Sequence, residues 1–375
     1  MEPVITATFM LADWIVKGLA DGSLERFGGV IREVGTGRIV TFLREAGSTV
    51  ASIPHQLQMA EGALMVTSAA SVLGLGVSMM GFTVIIQRIN ELEERLKQAE
   101  ELLKKIDRKI DLGYYANFHA ALNLAVNAFT MNKPENRRSS ALQAINSFLQ
   151  AERIYIGYTD AEIEQKSQIA DEYLLTLCLA YLTEARCYLE LEEHDTALRR
   201  FQEGAKVIRS NIQRYLDILL TSNPAVYLQP WFKGNIDLHR LTRIYQWIDP
   251  TLNENRVFEM QRQNFVNFVK DPNKWVVSLP PAILARVEVK GGWFGPNEGD
   301  LMREAEKRLP QVMEVMESMI ETNRRFEAYQ AEVQAIAQLG ISFHDWLKLA
   351  PSETKPDEAE LMYITPSKPL DLAIA

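Results

Sequence analysis

The chain has 375 residues, 47% hydrophobic and 24% charged, an ordinary composition for folded protein and a length for two or three domains or one long helical body. A formal net charge of −9 excludes a general nucleic-acid binder, which needs a concentrated basic face. The two cysteines, Cys178 and Cys187, lie nine apart in a helical pattern and face opposite sides of one helix, so they cannot bridge and read as core thiols in a reducing compartment.

Residues 1–60 differ from the rest. The opening Met-Glu-Pro has no basic region before its first apolar residues, so a secretory signal is not expected. Residues 6–20 form a short amphipathic helix pattern with Phe9, Leu11, Trp14 and Leu19 as apolar members. Val30, Ile31 and Val34 then precede Gly35-Thr36-Gly37, and Ile39, Val40, Phe42 and Leu43 follow. Two β-branched runs around a glycine turn predict a β-hairpin. The competing arrangement is a helix with Arg32, Arg38 and Arg44 on one side, disfavoured because each interior glycine costs a helix about 1 kcal/mol. Pro54 breaks the chain before the next element.

Residues 61–112 combine an apolar segment with a coiled-coil stalk. From Gly62 to Ile86 the chain runs 25 residues without a charge, and about 20 apolar residues suffice to cross a bilayer core as a helix. Ala70, Gly74 and Ser78 recur every four positions, with Gly76 and Gly81 as a second small patch beside Leu75 and Phe82. Small residues at this spacing let helices approach closely in lipid. Four placements fit the run: a permanent span, a conditional membrane segment, two short helices turning at Gly74-Leu75-Gly76, or a helix buried all round in a large helical protein. Phe82, Ile85, Ile89, Leu92, Leu96, Ala99, Leu103, Ile106 and Ile110 continue from it at alternating three and four spacing, the seam of a coiled coil. Arg88, Arg95, Lys97, Lys104 and Lys105 follow the run while Arg44 alone precedes it nearby, which places the C-terminal part in the cytoplasm if the run spans.

Residues 113–222 read as helical hairpins. Thr159-Asp160-Ala161-Glu162 fits a capping box that would start a helix. Tyr181, Ala185, Tyr188, Ala197 and Phe201 resemble one tetratricopeptide unit, with Glu192-Glu193-His194-Asp195 in its turn and a fainter echo at Ala141 and Phe148. The resemblance implies a helix pair with a surface for a protein partner. Residues 223–299 are irregular and hold four of the six tryptophans and seven of the fifteen prolines. Trp275-Val276-Val277-Ser278-Leu279 predicts a short strand, and Gly291-Gly292-Trp293-Phe294-Gly295-Pro296 an aromatic turn. Residues 300–340 return to a long helix with Met302, Ala305, Leu309, Val312, Met316, Met319, Phe326 and Val333 at heptad spacing. Pro310 is expected to kink its start, and its length suits pairing with residues 89–110. In the tail, 341–375, the stretch Glu360-Leu361-Met362-Tyr363-Ile364 is expected to dock as a strand.

No catalytic, cofactor-binding or metal-ligating set emerges. His55, His119, His194, His239 and His344 are scattered, and none has a second His or Cys at metal-ligand spacing. His344-Asp345 has no nucleophile beside it in sequence.

The order of an apolar segment (62–86), a stalk (89–110) and a second long helix (302–337) resembles in layout the α-helical pore-forming toxins of the cytolysin A and tripartite enterotoxin type. This chain differs from them in placing a short helix and a hairpin, not a long helix, before the hydrophobic element. The resemblance implies a hydrophobic element hidden in a soluble form that inserts as helices assemble in a ring.

The sequence thus predicts a mainly α protein, an elongated helical bundle or coiled coil with an apolar helix and a small N-terminal hairpin. The expected function is non-enzymatic: homo-oligomerisation and membrane association, from the cytoplasm, through the apolar segment. The alternative is a soluble oligomeric scaffold with that helix in its core. No cofactor and no nucleic-acid partner is expected.

Overall fold

The computed structural model describes residues 13–45, 112–270, 274–286, 289, 295–348 and 361–364. The protein is mainly α with a small antiparallel sheet. Helix α1 (Asp13–Asp21) leads into β1 (Leu24–Phe27), β2 (Val30–Glu33) and β3 (Ile39–Glu45). The expected hairpin is β2–β3: Val30 pairs with Phe42 and Arg32 with Ile39, and the turn is taken by Gly35 and Gly37 at φ 93° and 72°. Side chains with β-branched carbons are not crowded in this pleat, and the glycines supply the positive φ that the turn requires. The sheet order is β1-β2-β3-β4, where β4 (Leu361–Ile364) is the docked tail strand, antiparallel to β3 from Phe42↔Ile364 to Glu45↔Leu361. Val30, Ile31, Ile39, Val40 and Phe42 are all buried, so successive residues on both faces of the β2–β3 pair are covered there, while Arg32 and Glu33 at the end of β2 are half-exposed.

Four long helices follow: α2 (Leu112–Thr130), α3 (Pro134–Glu164), α4 (Ala170–Glu190) and α5 (His194–Leu219). Each packs on the next across a short connection, as antiparallel helix neighbours do. Helix α4 is buried on almost every side. The tetratricopeptide-like positions lie on the facing sides of α4 and α5, where Tyr181, Ala185, Ala197 and Phe201 are buried. Gly204 makes that close approach possible: a Cβ there would stand 2.9 Å from the Tyr181 ring.

Two short 3-10 turns (Pro224–Leu228 and Pro230–Phe232) lead to α6 (Leu238–Ile248), α7 (Glu254–Lys270) and α8 (Lys274–Val277). Asp237 caps α6, its carboxylate accepting from the Arg240 backbone N–H at 2.7 Å. The long helix α9 (Glu298–Leu339) begins at a reciprocal capping box between Asn297 and Asp300 and ends at Gly340, whose φ of 63° closes the last turn. Helix α10 (Phe343–Lys348) brings Trp346 against Phe42 of β3, edge to face at 5.5 Å, so the sheet and the end of the helical array share one core. The same hydrophobic cluster extends through α2 to α9.

Two local expectations are overturned. Thr159 starts no helix; it lies inside α3, fully buried, and its hydroxyl donates to the Tyr155 carbonyl at 2.7 Å. A Thr mid-helix satisfies itself on the preceding turn, and packing of α3 carries the helix through. Trp275–Leu279 contains no strand: residues 274–277 form the single turn α8, with Trp275 and Val276 buried. Its apolar run is too short for periodicity to separate strand from helix. Pro310 lies in the first third of α9, and the partner expected for that helix, residues 89–110, lies outside the described residues. Among the described residues α9 packs on α5, α6, α8 and β1.

Candidate ligand-binding cleft

Every residue singled out for membrane contact or helix packing (Ala70, Gly74, Leu75, Gly76, Ser78, Gly81 and Phe82) lies outside the described residues, as do the coiled-coil positions Ile89, Leu92, Leu96, Leu103, Ile106 and Ile110. So does the aromatic turn at Trp293 and Phe294. What is placed is the pair of elements on either side: β3, which ends at Glu45, and α2, which begins at Leu112. Both belong to the common core, through Ile39 and Phe42 on one and Phe118, Leu122 and Ala125 on the other. No described helix is long and apolar enough to cross a membrane.

The described residues bring together two charged constellations that sequence spacing did not indicate. The first is a buried knot where α3, α4 and α5 meet. Arg200 of α5 donates to Glu184 of α4 at 2.7 Å, to Glu152 of α3 and to Glu203 one turn further along α5. Glu184 is 0% exposed and Glu152 3%. The two carboxyl groups share the Arg200 guanidinium, and one oxygen of each makes no hydrogen bond. Burial pushes the Glu152 carboxyl up to about 9, the adjacent Glu184 carboxylate adds to the rise, and Arg200 opposes it. Glu184 is raised for the same first reason, while Glu152 and Arg200 pull it down. Burial and the closeness of the two carboxyl groups thus favour the protonated form of the pair, and Arg200 opposes it. Through these contacts the knot pins three helices together.

The second constellation is a cleft of about 670 Å³ between the sheet, α5 and α9. Its floor is built by a close approach. The turn between β1 and β2 holds Gly28 at φ 55°, and a Cβ there would stand 2.6 Å from the Arg324 carbonyl of α9. Only glycine lets the turn sit so near the helix. That contact sets Phe27 and Arg32 opposite Lys206 and Arg209, which lie on one face of α5, three residues apart. The Arg32 guanidinium stacks 3.9 Å from the Phe27 ring centroid and donates to Glu25 at 2.8 Å. Arg209 stacks 4.5 Å over Trp247 of α6, donating to its carbonyl at 3.2 Å and to Asn323 Oδ1 of α9 at 3.3 Å. Glu327 of α9 is the lining carboxylate, 3.9 Å from Arg209. Burial raises its carboxyl above the ordinary value, and Arg209, Arg32 and Arg324 pull it back. Gln330, one turn on, is 2% exposed and its Oε1 makes no hydrogen bond.

A further cation, Arg186 of α4, sits between the Phe129 and Phe343 rings at 4.7 and 4.1 Å and pairs with Glu190, which also faces His344 at 3.2 Å. His344 and Asp345 belong to α10 and do not form a catalytic pair: Asp345 accepts from the Ser342 hydroxyl at 2.8 Å. Cys178 and Cys187 are free and buried, and burial pushes both thiols up, so neither is a ready nucleophile. Among the described residues no group of three or more His, Cys, Asp or Glu is arranged to hold a metal ion. Comparison with protein families, curated proteins and solved structures finds no match to this chain.

Proposed function

We propose that this protein acts by binding and assembly rather than by catalysis: it oligomerises and engages a membrane through residues 62–86. The observation that carries the proposal is the 25-residue uncharged run in the stretch between β3 and α2. Both flanking elements, β3 and α2, contribute to the same core. The expected assembly follows from the stalk heptad, which offers an apolar seam to a second copy. The test is flotation of detergent-free protein with liposomes, alone and as Leu75→Glu. A charge at a helix centre in lipid costs about 2.5–3.5 kcal/mol on insertion scales, so this variant is expected to stay at the bottom of the gradient while keeping its helical circular dichroism. Equal flotation of both proteins overturns the proposal.

A second reading is a soluble oligomeric scaffold. It is favoured by the large apolar side chains left half-exposed on α7 and the turn before α6, with Trp231 at 50%, Phe258 at 46% and Met260 at 48%. It predicts a monodisperse oligomer in plain buffer that ignores lipid.

A further inference from the structure

We propose that the cleft between the sheet, α5 and α9 binds a phosphorylated polyol, either free in solution or as the headgroup of a lipid. This goes beyond membrane engagement by residues 62–86 and rests on different residues.

The charge of the cleft is the first argument. In a chain of net charge −9, three cations (Arg32, Lys206 and Arg209) line it against one carboxylate, Glu327. The surplus of two positive charges matches one phosphomonoester, which carries about −1.5 to −2 near neutral pH. Glu25 shares the charge of Arg32, and Arg324, 6.0 Å from the Phe27 ring, adds to the positive field behind it.

The second argument is preorganisation. Arg32 and Arg209 are held by aromatic faces, Phe27 and Trp247, before any ligand arrives. A stacked guanidinium keeps donors free in a fixed fork that suits phosphate. The cleft volume falls within the roughly 300–1,000 Å³ common to small-molecule sites.

The third argument is independent of charge. Gln330 lines the cleft with an amide oxygen that has no hydrogen-bond donor, and the side chain is almost wholly buried. Asn323, two turns before it on α9 and 0% exposed, has an unpartnered Nδ2 while its Oδ1 holds Arg209. Buried polar atoms are normally satisfied. A ligand that carries hydroxyl groups next to its phosphate offers Gln330 the missing donor while the phosphate stays on the cations. This is why the chemistry points to a polyol ester.

Glu327 acts as the internal competitor. Ionised, it offsets part of the Arg209 charge from 3.9 Å; protonated, it leaves that charge to the ligand. Binding therefore strengthens as Glu327 takes up its proton, and Glu327→Gln is expected to bind several-fold tighter near neutral pH.

The experiment measures binding of the full chain by isothermal titration calorimetry with a soluble inositol monophosphate and, separately, by sedimentation with vesicles containing phosphatidylinositol monophosphate. Arg209→Gln and Arg32→Gln are each expected to weaken binding at least tenfold, and Glu327→Gln to strengthen it. A gain of affinity cannot come from misfolding, so it stands even if an arginine variant is damaged. Binding of the soluble ester identifies a free ligand. Binding of the vesicles alone, with the same response to the three variants, identifies a headgroup. No binding in either arm, or binding indifferent to Arg209 and Glu327, overturns the proposal.

Discussion

Replacing Arg200 by methionine tests the buried knot. Methionine keeps the unbranched stem and removes the guanidinium, leaving Glu152 and Glu184, 3% and 0% exposed, without their shared cation. Removing one partner of a buried pair costs about 3–5 kcal/mol, because the charge left behind is uncompensated. The third contact, to half-exposed Glu203, contributes little, since surface pairs are worth about 0–1 kcal/mol. A loss of 3–5 kcal/mol is a large share of the roughly 5–15 kcal/mol that holds a folded protein together. Urea denaturation followed by circular dichroism reads it directly. Glu152→Gln sharpens the test. The Glu152 carboxyl is pushed up to about 9 from an ordinary 4.5. Between those values the native state binds more protons than the unfolded chain, so its stabilising contribution is complete below about 4.5 and is lost as pH rises through about 9. An amide mimics the protonated acid, with one donor side and one acceptor oxygen. Glu152→Gln is therefore expected to keep or raise stability near neutral pH and to flatten the decline between about pH 5 and about pH 8. A methionine variant within about 1 kcal/mol of the parent, or a glutamine variant as damaged as the methionine one, would refute this account of the knot.

Gly28→Ala places a Cβ on the Arg324 carbonyl at a left-handed backbone position, with an expected loss of about 1–3 kcal/mol in thermal or urea unfolding and weaker ligand binding, since the same turn sets Phe27 and Arg32. Ala at the open positive-φ site Gly22, which meets no atom within 4 Å, serves as the control for backbone strain alone. Cys178 and Cys187 are expected to be silent to a thiol reagent in the native protein and to react fully in denaturant; rapid native labelling would mean that α4 is not the buried helix described.

Much of the fold was legible because local chemistry agreed with the packing. The glycine turn between β-branched runs gave the β2–β3 hairpin, and small residues alternating with aromatics gave the α4–α5 pair. The heptad from Met302 to Val333 gave α9, and the strand expected over 360–364 is formed by Leu361–Ile364. Strand β1 was not legible, since Leu24-Glu25-Arg26-Phe27 carries as much charge as an ordinary loop and is a strand only because β2 pairs with it. The capping pattern at Thr159 misled because the same residue types serve at helix starts and on buried helix interiors. The cleft was hidden for a different reason. Arg32, Arg209 and Glu327 are far apart in sequence, and each alone looks like a solvated charge. Only the approach of Gly28 to α9 makes them one site. A glycine pair following a short charged-apolar run was the one signal that could have suggested it.

The most direct test of membrane engagement uses the two buried cysteines as silent background. In Leu75→Cys a polarity-sensitive thiol dye labels the new site selectively, because Cys178 and Cys187 lie inside the core. Adding liposomes is expected to shift the dye emission to the blue and to make it quenchable by a lipid with a spin label on its acyl chain. An emission spectrum unchanged by lipid, from protein that remains folded, would contradict insertion of residues 62–86 and leave the soluble scaffold in its place.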